Sequence, residues 1–369
     1  MPLVPLTRIN DLPAAHWDAL LPTQQPFLRH AFLAVLEESG AINPRSGWAP
    51  CHLLWQEEGQ VKAAMPGYIK GHSMGEYVFD QGWAEASERA GIPYYPKWLS
   101  AVPFSPITGA RTLGDASALL AALPAFLEQQ GLMSAHINFT NPQANQALAT
   151  QSPWLSRLGC QYHWHNRGYR DFQDFLDTLT SRKRKQIRKE RQHVAAQGFT
   201  FRWLDVAQAT ETEWDFVYRC YANTYQVRGR QPYLPRAFFS LMAERMPDAV
   251  RVVIAERHDA PVAMAWSLVD DSTFYGRYWG CLEEYEGLHF ETCFWQGVDG
   301  LIAQGLQHFN AGAQGEHKLL RGFEPVITHS WHLLRHPGLA QAVDNFLQQE
   351  RPAVEAWAQE AAELLPYRR

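Results

Sequence analysis

Residues 250–280 read VRVVIAERHDAPVAMAWSLVDDSTFYGRYWG. Three apolar runs, Val250–Glu256, Pro261–Val269 and Thr273–Trp279, are separated by His258-Asp259 and Asp270-Asp271. Runs of this length broken by tight turn dipeptides predict three antiparallel strands. Downstream, His289 to Gln304 carries a helical pattern that ends at Gly305, and His308 to Ala311 reads as one more short strand. Upstream, Glu213 to Val227 and Pro235 to Met246 look helical, and Phe199 to Leu204 alternates like a strand. The order is helix, antiparallel strands, helix, strand.

The first half follows the same order. Phe27 to Glu38 predicts a helix, and Cys51–Trp55, Val61–Tyr68 and Glu76–Phe79 predict strands, with a hairpin turn at Glu58-Gly59. Ala84 to Ala90 is helical, Trp98 to Phe104 extended, and Ser117 to Gln130 a helix stopped by Gly131. With 369 residues the chain is long enough for about two domains. We expect two copies of one α+β unit, residues 1–150 and 151–369, with mixed, mostly antiparallel sheets flanked by helices. The boundary is placed in the polar stretch Asn141 to Pro153, and the amphipathic tail from Gly338 to Arg369 is expected to cap the second unit.

The composition, 46% hydrophobic and 19% charged, is that of a folded globular chain. Its five cysteines are scattered without a CxxC pair, which points to reduced thiols. The N-terminus lacks a signal-type apolar run, and the apolar window Ala116 to Leu127 is too short to span a bilayer and holds Pro124. These features predict a cytoplasmic protein without an integral membrane segment.

Charge is unevenly placed. Seven of the ten residues from Arg182 to Arg191 are Arg or Lys and only Glu190 is acidic, in a chain of net charge −5. Such a helix is either a solvated face or a phosphate site. The candidates for phosphate or tRNA are Arg182, Lys183, Arg184, Lys185, Arg188 and Lys189.

Four blocks carry a resemblance to a known family: YYPKWLSAVPFSPITGARTL (Tyr94 to Leu113), SRKRKQIRKER (Ser181 to Arg191), FYGRYWG (Phe274 to Gly280) and FNAGAQGEHKLLRGFEPVITHSWH (Phe309 to His332). The element order resembles the GNAT acyltransferase fold. Two such units with a basic helix opening the second resemble the Fem-type aminoacyl transferases, and the blocks are similar to the FemAB-like peptidoglycan biosynthesis/recognition family. The resemblance implies two tandem GNAT-like domains and transfer of an acyl or aminoacyl group to an amine. It also implies a donor such as aminoacyl-tRNA as co-substrate rather than a tightly bound cofactor, and a peptidoglycan precursor or other small molecule as acceptor. Two alternatives stay open: a non-catalytic protein that binds a cell-wall precursor or RNA, and an acyl-CoA-dependent N-acyltransferase. Arg277-Tyr-Trp-Gly280-Cys-Leu282 meets the acetyl-CoA pyrophosphate signature of the GNAT fold at its first two fixed positions and fails at the third.

The densest polar cluster is Gly312 to Arg321. Amide formation needs a base for the amine proton and donors for the developing oxyanion. Glu316 or His317 is the expected base, with His289 and Glu291 at the start of the helix that follows Phe274 to Gly280 as further catalytic candidates. Tyr275, Arg277, Tyr278, Gln314, Lys318 and Arg321 are expected to bind substrate, and Arg111 to reach an anionic group. Neither HExxH nor a zinc-type Cys/His spacing occurs, so no metal site is expected.

Overall fold

A computed structural model describes residues 3–151, 153–313 and 315–368. The chain forms two compact units: residues 1–160 with 327–358, and residues 161–326 with 359–369.

The first unit holds strands β1 (Leu3–Leu6), β2 (Trp48–Pro50), β3 (His52–Glu57), β4 (Gln60–Met65), β5 (Tyr68–Lys70), β6 (Lys97–Ser100), β7 (Leu113–Gly114) and β8 (Ser134–Thr140). Four of them form an antiparallel sheet in the order β1-β3-β4-β7. In the other sheet β2 pairs β5, β5 pairs β6, and β6 runs parallel to β8. A parallel neighbour requires a crossover, and the helix Ser117–Gln129 supplies it. Leu119, Leu120, Leu123, Phe126 and Leu127 follow helical spacing and pack on the sheet residues Leu53, Ala63, Trp98 and Ile137.

Strand β9 (Leu155–His165) carries the chain from one unit into the next. The second unit adds β10 (Phe199–Trp203), β11 (Val250–Arg257), β12 (Ala260–Val269), β13 (Thr273–Cys281) and β14 (His308–Asn310). Their order is β10-β11-β12-β13-β14-β9, antiparallel except for the parallel β13–β14 pair. The β11–β12 turn is tight because His258 and Asp259 both adopt positive φ, which suits the twist of a two-residue hairpin. The crossover from β13 to β14 is the helical segment from Leu288 to Ala303. Each unit thus contains an antiparallel hairpin, a strand, a helix and a parallel strand, as the duplicated pattern predicts.

Three expectations are corrected. Residues 76–79 are not a strand: Glu76 turns inward to a buried lysine and Tyr77 takes a φ of 60°. The stretch 141–153 is not a linker, because Asn141 caps a helix, Pro142–Ala149, whose first position suits proline. The tail does not cap the second unit alone. Strand β15 (Glu324–Leu334) pairs β8, and the helix Pro337–Glu363 that follows belongs through Ala358 to the first unit, where Leu339, Val343 and Leu347 pack on Trp83 and Tyr94.

The first unit also buries a charged cluster. Lys97 donates to Ser73 Oγ at 2.8 Å, Glu76 Oε2 at 2.8 Å and Asp80 Oδ2 at 2.6 Å. Burial opposes its charge, but the two carboxylates override that and raise its pKa. Burial likewise would raise Asp80, yet Lys97 and His136 hold it well below the usual carboxylate range. Desolvation wins at Glu76, pushed up to about 7.

Candidate active site in the second unit

Strand β13 positions the site. It pairs β14 at only three positions, Thr273–His308, Phe274–Phe309 and Tyr275–Asn310. Beyond Tyr275 its backbone on that side has no ladder partner from β14. On the other side Trp266 pairs Tyr278 while Ser267 pairs Gly276, so Arg277 is the extra residue of a bulge. A bulge re-aims the side chain it carries. Where the strands part lies a cavity of about 110 Å³, lined by Gly276, Arg277, Tyr278 and Trp279 from β13, and by Phe309 and Ala311. Tyr278 packs at a tilt on Trp266 at 5.5 Å and edge-on against Tyr221 at 5.1 Å. The end of β13 is held against the helix Glu211–Gln226 so closely that a Cβ on Gly280 would sit 1.9 Å from the Cys220 carbonyl oxygen.

The next helix starts at Gly287, in the left-handed region, and contains a π turn over Glu291–Trp295. Such turns are frequent at functional sites. His289 projects from its first turn, packs on Trp279 at 5.2 Å and Phe294 at 5.8 Å, and lines the cavity. Desolvation, reinforced by His317, Arg321 and Lys318, lowers its pKa.

After β14 the chain turns through Gly312 and Gly315 into a 3₁₀ turn, Glu316–Arg321. Gly315, at φ 114°, has the His317 ring folded over it, where a Cβ would come within 2.5 Å. Lys318 points inward. Its ammonium donates to the carbonyls of Ala311 at 2.8 Å and Gly312 at 3.0 Å, and burial with the Arg277 charge holds its pKa down to about 7. Arg321 lies on the Phe290 ring at 3.6 Å and pairs Glu190 at 3.4 Å. His317 sits at the surface, 5.4 Å from Phe290 and 5.9 Å from Phe294, and desolvation with the Arg321 and Lys318 charges lowers its pKa.

The basic helix spans Ser181–Ala196 and is seated by Ile187 and Val194, buried one heptad apart. Beside it runs a groove of about 810 Å³, lined by Arg182, Lys185, Arg188 and Lys189 and closed by Glu286 and Gly287 at the start of the π-containing helix. Arg182, Lys185 and Lys189 share one helical stripe. A helix start with its free N–H groups and a stripe of cations both favour anions.

The structure therefore brings together His289, Arg277, Tyr278, His317, Lys318 and Arg321. Others of the expected set lie elsewhere. Glu291 is buried and bound by Arg191 at 3.0 Å and Gln296 at 2.9 Å, and Arg191 also holds Asp299 at 2.7 Å, so this carboxylate braces the underside of the basic helix. Desolvation raises its pKa against the Arg191 charge. Tyr275 donates to Asp270 at 2.7 Å in the β12–β13 turn, away from the cavity. Arg111 reaches no groove: it is fully buried in the first unit and donates to the carbonyls of Asn138, Ala110 and Ile107. Glu316 is exposed, and Arg321 takes Glu190 as its partner instead. Lys183 and Arg184 leave the groove stripe, donating to Gln186 at 3.2 Å and Asp177 at 3.4 Å. Gln314 lies outside the described residues. Among the described residues no group of three His, Cys, Asp or Glu is placed to hold a metal ion, and no helix is long and apolar enough to cross a membrane.

The sequence reading missed the ring walls, Trp266, Phe294 and Phe309, and the buried pairings of Arg191 and Lys97. The count of 14 tryptophans was their one visible signal.

Three solved structures resemble the chain. The C-terminal domain (DUF2156) of a protein described as a lysylphosphatidylglycerol synthetase, from Agrobacterium fabrum, is 11% identical with a TM-score of 0.54, over 91% of this chain and 95% of that one. FemX is 9% identical with a TM-score of 0.53, over 90% and 98%. L-PGS from Bacillus licheniformis is 11% identical with a TM-score of 0.51, over 85% and 95%. At these identities the likeness is one of fold. No curated protein matches the sequence significantly. The model of the FemAB-like family, described by peptidoglycan biosynthesis/recognition, matches residues 8–369. The chain therefore belongs to that family, and it shares the fold of FemX.

Proposed function

We propose that this FemAB-like protein forms an amide by moving an aminoacyl group from an aminoacyl-tRNA to the amine of a peptidoglycan precursor. The observation that carries the reading is the groove: four cations of the basic helix face the start of the helix that also presents His289 to the cavity. Phosphates held there would leave the ester end of a donor near the parting strands. His317 is the base in this reading, because its lowered pKa keeps the imidazole neutral and able to accept a proton at neutral pH. The acceptor nitrogen attacks the acyl carbon, a C–N bond forms and the C–O bond to the ribose breaks. The proton taken by the imidazole ends on the released hydroxyl. Arg277 and Lys318 lie beside the cavity as cations for the developing oxyanion. An acyl-CoA donor would use the same groove for its pyrophosphate and differs in the C–S bond that breaks.

The test supplies aminoacyl-tRNA or acyl-CoA with an amine-bearing precursor and weighs the product by mass spectrometry. We expect amide from aminoacyl-tRNA, and none from His317→Ala. Replacing Arg182, Lys185 and Lys189 together with Ala should reduce the salt slope of tRNA binding by about two to three. Binding without product identifies a recognition protein, and an unchanged salt slope removes the groove from the reading.

A further inference from the structure

Glu190 is the single acid between Arg182 and Arg191, and it lines the groove beside Arg182, Lys185, Arg188 and Lys189. Glu286, the other acid of the lining, is exposed and pairs His193 at 3.5 Å. The two oxygens of Glu190 have different partners. Oε1 accepts from Gln186 at 3.0 Å, one helical turn back, and Oε2 accepts from Nη2 of Arg321 at 3.4 Å. Arg321 is 9% exposed and lies on the Phe290 ring. Its Nη1 donates to the His317 carbonyl at 3.1 Å, while its Nε is buried without a hydrogen-bond partner among the described residues. A guanidinium makes its strong pairs through two parallel N–H donors. The Glu190 pair uses one donor, at a long distance, and leaves another unmet. Burial lowers the Arg321 pKa, and the Glu190 charge offsets this only in part.

We propose that Glu190 stands in for a phosphate of the donor: it holds Arg321 before the donor arrives, and the phosphate displaces it and takes the same guanidinium. The assignment rests on the groove as the donor's phosphate site, as read above. A phosphate group offers more charge than a carboxylate and enough oxygens to meet a second donor of the fork along with Nη2. The Glu190 side chain is 28% exposed and flexible, so it can turn out into water when displaced. Arg321 also holds the carbonyl of His317, the base of the proposed reaction. A change of partner at Arg321 is therefore passed to the turn Glu316–Arg321, and groove occupancy and the placement of His317 are linked. Both the phosphodiester of a tRNA end and the pyrophosphate of an acyl-CoA carry this chemistry.

The test uses the full chain and needs no turnover. Inorganic pyrophosphate is titrated by calorimetry into wild type, Glu190→Gln, Arg321→Gln and the double variant. Glu190→Gln should tighten binding about fivefold or more, and the gain should fall below about twofold in the Arg321→Gln background. Arg321→Lys keeps the charge without the fork, should also lose most of the gain, and serves where Arg321→Gln does not fold. Simple removal of a repelling charge would tighten binding equally in every background, and that result overturns the proposal, as does a Glu190→Gln affinity no better than wild type. Repeating the cycle with CoA and with deacylated tRNA identifies the source of the phosphate as the ligand that shows the same dependence on Arg321; dependence with neither overturns the proposal. In histidine-labelled NMR spectra, the His317 signal, identified by its loss in His317→Ala, should move when pyrophosphate is added to wild type and stay in place in the Arg321 variants. A signal unmoved in wild type removes the link to the turn. If pyrophosphate binding ignores replacement of Arg182, Lys185 and Lys189 by Ala, the groove reading falls and this proposal with it; groove-dependent binding with equal gains in every background removes the stand-in alone.

Discussion

Replacing Lys97 with Met should be among the most costly single changes in the first unit. The substitution keeps the volume but leaves Glu76 and Asp80 without their cation, both below 3% exposed. Glu76 is already near half protonation at neutral pH, so it relaxes at little cost. Asp80 must either stay charged in the interior or take up a proton. Protonating it at pH 7 from an ordinary value near 3.8 costs about 4 kcal/mol at 1.36 kcal/mol per pH unit. That figure agrees with the 3–5 kcal/mol typical of breaking a buried pair. For a unit of roughly 190 residues it corresponds to a fall of roughly 10 °C in Tm. The sign of the pH dependence follows. In the wild type Asp80 is depressed, so its contribution is present above pH 3.8 and is lost only as pH falls through its lower folded value. In the variant the carboxyl is raised, so the deficit against wild type should shrink by about 2–3 kcal/mol between pH 7 and pH 5. Guanidinium unfolding at pH 7 and pH 5 measures both values. Adding Glu76→Gln and Asp80→Asn should recover more than half of the loss, because neutral partners need no cation. A deficit under 1 kcal/mol at pH 7, or one that does not change with pH, would refute the reasoning.

Arg191→Leu removes the shared partner of Glu291 and Asp299 and should cost about 3 kcal/mol in thermal melts, whereas Arg188→Ala on the exposed side should stay within about 0.5 kcal/mol. Gly280→Ala drives a methyl group into the Cys220 backbone and should cost about 3 kcal/mol or prevent soluble expression. Lys318 titrates near 7 in the fold against 10.5 unfolded, so the unfolded chain binds more protons between those values and stability should rise with pH there. Lys318→Met should flatten that rise in melts at pH 7 and pH 9.5 while reducing amide-forming turnover.

The sheet of the second unit was legible because each of its turns is local: His258-Asp259 and Asp270-Asp271 interrupt apolar runs that pair with their sequence neighbours. The first unit was harder to read, since the partner of β8 arrives about 190 residues later as β15. Glu76–Phe79 imitates a strand by composition, yet the attraction of Glu76 to Lys97 decides its course. Within the site, the residue types around Gly312–Arg321 were visible, but their partners were not. Arg321 lies five positions from Glu316 and nevertheless pairs Glu190 across the unit. Glu291 looked like a free reactive group until packing set it against Arg191. Pairings between distant segments have no spacing signature, and they decide which ionisable side chains remain for chemistry.

Because the first unit is completed by residues 327–358, the ribosome releases its opening 160 residues well before their closing strand exists. At about 5–20 residues per second, β8 waits roughly 10–40 s with one edge bare while residues 161–326 of the second unit are made. A nascent chain in that condition is a template for foreign strands. Ordered synthesis thus places most of the second unit between the two parts of the first, and the two lobes cannot be separated by any single cut that leaves both whole.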